Sequence, residues 1–277
     1  MLSHHRRCAQ LIRKTLSSLV VMGGLLLLSW PAFSDYMATV RAEATISRME
    51  AVYDTMQDEE HTRRMAQAHA YNRRFAGLPC SEDIWDYDDQ LVCRDAPSSM
   101  MAWVDIPKIH CKLPVYHHTT ESVLMAGVGH VDTTALPVGG MGTVCALSGH
   151  SGMSTERMFD DIRRLSAGDH FVVWTLGEPF EYQVCEIHTV DPTDASVLEP
   201  QGQRDLCALI TCTPLNVNTH RLVVVGERCS HLPNAAGDDV PIQPTTSVRT
   251  VPLAMGGLVI AMVALTVCVR KWCGREH

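Results

Sequence analysis

"LITCTPLNVNTHRL", residues 209–222, is where the reading of this chain turns. Leu209–Cys212 finishes an apolar run, and Arg221 opens the next, "RLVVVGE". Between them lies a segment of Pro, Asn and Thr. Two short apolar runs divided by turn residues read as neighbouring β-strands. A thiol and a guanidinium then stand at the mouths of two strands. A buried structural cysteine beside a surface arginine is the ordinary reading of such a pair. A nucleophile beside the cation that stabilises an oxyanion is the other.

The same pattern extends outward. From residue 102 the chain carries "AWVDI", "GVGHV", "TVCALS", "FVVWTL", "YQVCEIHTV" and "LCALITC" before "RLVVVGE". Seven such runs predict a mainly β domain, a closed barrel or a sandwich. "STERMFDDIRRLSAG" interrupts them as one short predicted helix ending at Gly168. Ahead of the strands, Ile46, Met49, Val52, Tyr53 and Met56 recur at helical spacing, as do Met65, Ala68, Tyr71 and Phe75. This predicts one helix over 38–76, stopped by Gly77-Leu78-Pro79. Residues 80–101 are polar and irregular, carrying Trp85 and Tyr87, and 230–250 read as a tether.

The chain has 277 residues, 46% of them hydrophobic, and a formal charge of −8. An acidic balance argues against a nucleic-acid partner, whose binding face would be basic. Residues 16–33 are almost free of charge and follow Arg6, Arg7, Arg13 and Lys14; residues 251–269 are uncharged and precede Arg270, Lys271 and Arg275. A helix of about 20 apolar residues spans a bilayer. Basic flanks at both ends put both termini in the cytoplasm and the intervening domain outside. The alternative for the first segment is a cleaved signal peptide, since "WPAFSDY" offers small residues. The expected divisions are 1–34 (cytoplasmic start and membrane anchor), 35–79 (extracytoplasmic helix), 80–101 (loop), 102–229 (β domain), 230–250 (linker), 251–269 (second membrane helix) and 270–277 (cytoplasmic tail).

Of the 11 cysteines, Cys8, Cys268 and Cys273 fall in membrane or cytoplasmic portions, leaving eight exported. Cys80 and Cys93 bracket a loop whose closure by a disulfide would contribute roughly 3 kcal/mol. Pairing of the others cannot be read from sequence. A thiol used for chemistry must stay free.

A thiol attacks acyl groups as its thiolate and needs a basic or cationic neighbour. His150, at the end of "TVCALSGH" and before a Ser151-Gly152 turn, is the candidate. It, Cys212 and Arg221 all stand at strand mouths, and in a barrel such ends can converge on one rim. Cys212 would be the nucleophile and His150 the general acid and base. A guanidinium keeps its proton, so Arg221 would hold the substrate carbonyl and the developing oxyanion. His117-His118 offers no spaced coordination set, and His130, His170 and His188 read as structural, so neither a metal nor another cofactor is expected.

"ALITCTPLNVNTHRL" resembles the nucleophile region of the sortases, Thr-Leu-x-Thr-Cys followed about nine residues on by Arg. "LSGHSG" resembles the segment carrying the sortase histidine. "WVDIPKIHCKLPVYHHTTESVLMAGVGHVDTTALPVGGMGT" is similar to the core of the pilin-polymerising branch, class C. The resemblance covers roughly residues 100–228 and implies an eight-stranded β-barrel with a transmembrane helix at each end. It implies cleavage of an LPXTG-type sorting signal after Thr, a thioester on Cys212, and resolution by a lysine amine of a neighbouring pilin in a Gram-positive cell wall. It also implies that Thr211 shapes the substrate groove and that residues 80–101 form a lid. Asp83-Ile84-Trp85 matches the Asp-Pro-aromatic lid motif without its Pro, and Asp86-Tyr87 is a competing register. Ala208, Ser151 and Leu215 depart from the family pattern. A housekeeping enzyme anchoring surface proteins to the cell wall is the alternative within the family. A non-catalytic binding module with every exported cysteine paired is the alternative outside it.

Overall fold

The structure is a computed structural model that describes residues 2–78, 86–92, 100–153 and 157–229. The chain divides into two units, Met1–Asp239 and Val240–His277, and the second lies outside the described residues. So do the predicted tether, the second membrane helix, Asp83, Trp85 and the Cys80–Cys93 pair.

Eight strands close a barrel: β1 (Met100–Ile106), β2 (Cys111–His117), β3 (Val128–His130), β4 (Thr143–Ser148), β5 (His170–Thr175), β6 (Glu178–Val190), β7 (Asp205–Thr213) and β8 (His220–Arg228). Their order around the barrel is β1-β2-β3-β4-β7-β8-β6-β5. Only β2–β3 and β4–β7 pair in parallel. Seven of the eight strands are the apolar runs of the sequence. The eighth, β2, carries Pro114, which argues against a strand because proline cannot donate to a ladder. Pro114 faces Trp103 of β1, and pairing with β3 begins one residue later at Val115, so no amide is needed there.

Period-2 alternation sends β-strand side chains to opposite faces. Along β4, β7 and β8 one face supplies Cys145, Leu147, Cys207, Leu209, Leu222 and Val224 to the main core. The other supplies Val144, Ala146, Leu206, Ala208, Val223 and Val225 to a second apolar layer, capped by Val197 and Leu198 from the β6–β7 connection. Both faces are therefore buried, which is why these strands read as unbroken apolar runs.

The helix predicted over 38–76 is two helices. α1 (Leu2–Asp54) and α2 (Asp58–Asn72) are separated at Thr55–Gln57. Thr55 turns its hydroxyl back to the carbonyls of Ala51 and Val52, competing with the helical ladder. α2 then starts with Asp58, Glu59 and Glu60, charges that favour a helix N-terminus. Helical periodicity runs through this joint unaltered, so the pattern alone hid it. Ile46, Met49, Met65, Ala68 and Tyr71 pack into the main core, and Tyr53 stacks on Trp103 with centroids 6.2 Å apart. Buried Asn72 fastens α2 to the barrel, its amide donating to the carbonyls of Leu136 (3.0 Å) and Gly139 (3.1 Å). Within α1, the stretch from Val20 is long and apolar enough to cross a membrane, and Leu25, Leu26, Leu27, Leu28 and Trp30 are exposed.

Within the helix predicted over 154–168, the described residues from Arg157 form a turn at Met158 and Phe159 and then a short 3-10 helix, Asp160–Arg164. Met158 has φ +37°, outside helical backbone, and the Asp160 carboxylate accepts from the amide of Gly152 at 2.6 Å.

Candidate active site

The parallel register of β4 and β7 pairs Ala146 with Ala208 and Ser148 with Ile210. The antiparallel register of β7 and β8 pairs Ala208 with Val225, Ile210 with Val223, and Cys212 with Arg221. These residues share the face that carries the outer apolar layer. Counting on by two from Ser148 reaches His150. The strand itself ends at Ser148, two residues before the sequence placed its end.

Three hydrogen bonds continue the register past that end. The Gly149 amide donates to the Ile210 carbonyl at 3.0 Å. The Thr211 hydroxyl donates to the Gly149 carbonyl at 2.8 Å, and the Ser151 hydroxyl donates to the Cys212 carbonyl at 2.7 Å. His150 is thus held between two residues that are each bonded to β7, level with Cys212. Cys212 and Arg221 are paired across β7 and β8, and the His150 turn is tied to the end of β7 beside them. Adjacent strands lie about 4.8 Å apart, so residues remote in sequence become nearest neighbours.

Local chemistry finishes the arrangement. The Phe159 amide donates to the His150 carbonyl at 3.0 Å, and the His150 ring reaches Glu121, at the start of α3 (Glu121–Leu124), at 3.5 Å. Arg221 points one guanidinium nitrogen at the carbonyls of His220 (3.3 Å) and Asn218 (3.5 Å). Among the described residues no carboxylate ion-pairs with it. The β7–β8 turn places Asn216 and Asn218 at φ +64° and +60°, a conformation asparagine tolerates better than most residues.

Gly149 has no room for a side chain: an added Cβ would meet the Phe159 ring at 2.7 Å, and Phe159 is fully buried. Gly149→Ala is expected to destabilise the protein by about 1–3 kcal/mol through overpacking and to displace His150. Thermal unfolding checks this, and an unchanged Tm would refute it.

Cys111, Cys145, Cys185, Cys207, Cys212 and Cys229 are all free thiols. A fully paired ectodomain is therefore overturned. Burial pushes the Cys111 thiol up to about 12 and raises Cys145 and Cys185 as well, so these behave as inert fillers. Cys212 stands half-buried at the strand mouth.

Thr211 is buried on the face opposite Cys212. Its hydroxyl is committed to Gly149, so it shapes the site from behind. Ser151, a departure from the family pattern in sequence, ties the His150 turn to the Cys212 backbone. No local signal marks it, because its partner lies on another strand.

The competing lid register is partly described. Tyr87 sits among three histidines, stacked on His130 (centroids 5.6 Å apart) and edge-on to His117 and His118. Its hydroxyl donates to His130 Nδ1 at 2.8 Å, while His130 Nε2 donates to the Ala135 carbonyl at 2.8 Å. Burial lowers His130 to about 4, keeping it neutral and able to accept. His118 bonds Asp88 at 2.6 Å and Asp132 at 3.3 Å. Burial opposes its charge, but those two bonds outweigh it and raise His118. Residues 86–92 are thereby docked on the ends of β2 and β3. His130 has the structural role read for it in the sequence.

Comparison with known proteins agrees with this architecture. Residues 104–229 match the Sortase domain family model. The chain is 33% identical over 124 residues to Sortase A of Bacillus anthracis, a match covering 45% of this chain and 57% of that protein; it spans little more than half the length of that relative. Two solved structures are covered almost completely. The Pilus-related Sortase C of Group B Streptococcus has 33% identity and a TM-score of 0.60, over 67% of this chain and 97% of that one. The sortase C of Clostridium perfringens with the C-terminal cell wall sorting motif has 32% identity and a TM-score of 0.61, over 68% and 99%. The eight-stranded barrel, with a half-buried thiol and an arginine facing each other across its last strand pair, defines a sortase-type fold. The chain belongs to the sortase family.

Proposed function

We propose that this protein is a membrane-anchored cysteine transpeptidase of the pilin-polymerising kind. The observation that carries the reading is a free Cys212 paired with Arg221 across β7 and β8, beside a His150 turn hydrogen-bonded to the end of β7. The Cys212 thiolate attacks the Thr carbonyl carbon of the Thr–Gly bond in an LPXTG-type signal, forming a C–S bond. The tetrahedral oxyanion is held by the Arg221 guanidinium. As the C–N bond breaks, His150 gives its proton to the departing glycine amine. A thioester remains on Cys212. A lysine amine of a pilin subunit then attacks it, His150 takes the amine proton, and the thiolate leaves as the isopeptide bond forms. Each half-reaction restores the charge state the other needs.

The likeness to a pilus-related enzyme and to a sortase C carrying a sorting motif supports this substrate class. The apolar stretch of α1 with its basic start supports anchoring with the N-terminus in the cytoplasm and the barrel outside. The test uses the full chain in detergent, a sorting-signal peptide, and either a lysine-bearing pilin segment or a cell-wall peptide amine as acceptor. Mass spectrometry should find an isopeptide product with the pilin lysine. Transfer only to the cell-wall amine would overturn pilin polymerisation in favour of surface-protein anchoring.

A further inference from the structure

The strand register builds a second cluster of reactive side chains far from the first. His170 opens β5 and pairs with Gln183 of β6, and Glu181 lies two residues before Gln183 on the same face. Cys229 follows β8, and its amide donates to the Glu181 carbonyl at 3.0 Å. Eight residues of extended chain, about 27 Å, separate Cys229 from Arg221. His170 Nδ1 is 2.9 Å from Glu181 Oε1 and 3.9 Å from Cys229 Sγ. One ligand atom from each residue lies within 4.8 Å of the other two.

We infer that His170, Glu181 and Cys229 form a zinc site. Zinc takes sulfur, nitrogen and oxygen ligands in a tetrahedron, with bonds of about 2.3, 2.0 and 2.1 Å. Those bonds set edges of about 3.4 Å for N···O and about 3.6 Å for S···N. The observed separations are within about half an ångström of both. Calcium and magnesium prefer all-oxygen sets and do not fit a thiolate and an imidazole. Three protein ligands leave the fourth position to water, on the side where His170 is exposed.

The surroundings fit the same ion. Metal-bound histidine uses its second nitrogen to hold the ring in place, and His170 Nε2 lies 3.1 Å from the Gln183 side-chain amide. With Nδ1 given to zinc, Nε2 carries the hydrogen and donates to the Gln183 amide oxygen after that group turns over. Cys229 enters as thiolate, so one proton leaves on binding. The neighbouring cation, Arg228, is drawn away over the Phe180 ring, 4.4 Å from its centroid. A simple His170–Glu181 hydrogen bond would need no thiol beside it. Bound zinc would clip the end of β8 to β5 and β6. No coordination spacing marks the site in the sequence, because His170, Glu181 and Cys229 come from β5, β6 and the residue just after β8.

The test titrates cobalt(II), a spectroscopic stand-in for zinc, into the full-length protein in detergent with its thiols reduced. A thiolate-to-cobalt absorption band should appear and be abolished by added zinc. Cys229→Ser should remove the band, and His170→Ala should weaken zinc binding by at least about tenfold. Cys212→Ala should leave both unchanged. No band in the wild-type protein, or a band that survives Cys229→Ser, would overturn the assignment. So would a band lost with Cys212→Ala, since the metal would then sit on the other thiol.

Discussion

Cys212→Ala is expected to abolish thioester formation and to lower transpeptidation by about 10⁴-fold or more, in line with the loss of a covalent nucleophile elsewhere. Without sulfur there is no acyl carrier, and no other free thiol among the described residues is placed to substitute. Cys111 and Cys145 are held protonated by burial, and Cys229 lies at the other end of β8. Stability should change little, because Cys212 is half-buried and its tie to Ser151 uses the backbone carbonyl. The measurements are intact mass after acid quench, to see the acyl adduct, and Tm, to verify the fold. Turnover at the wild-type rate, in a protein that has lost its adduct, would remove Cys212 from the chemistry.

Arg221→Lys retains the charge and is still expected to cost about 10²–10³ in kcat, the usual effect of removing one oxyanion donor. Geometry is the reason. One guanidinium nitrogen already leans on the carbonyls of His220 and Asn218. A planar fork can keep that contact and present its remaining N–H groups to the substrate in a fixed direction. An ammonium is a compact charge on a flexible stem and cannot do both. Because the interaction strengthens as the oxyanion develops, kcat should fall more than KM changes. Single-turnover acylation rates with a sorting-signal peptide check this, and a near-normal rate would count against the oxyanion role.

Much of this site was legible before any coordinates. Cys212 and Arg221 could be placed at strand mouths because "ALITC" and "RLVVVGE" are clean apolar runs on either side of an Asn-rich turn. His150 was legible as a strand exit, although the strand stops at Ser148 and hydrogen bonds to β7 carry the register onward. What the sequence hid was non-local. Thr211 reads as a groove residue from its family position, yet alternation buries it on the inner face. Pro114 disguised β2, since whether a proline harms a strand depends on which neighbours need its amide. The break at Thr55–Gln57 leaves helical periodicity intact on both sides. His170, Glu181 and Cys229 carry no shared motif, because two come from neighbouring strands and the third from the exit of β8.

The alternation that puts Thr211 inside and Cys212 outside ties chemistry to strand alignment. If β7 slid by one residue against β4, the thiol would swing into the packed interior and the threonine would take its place at the rim. The apolar layers on both sides of β7 would be mispaired by the same movement, so the slipped form could neither pack nor react. A chain built this way cannot be well folded and inactive through misregistration, and every molecule that closes its barrel correctly presents the sulfur on the working side.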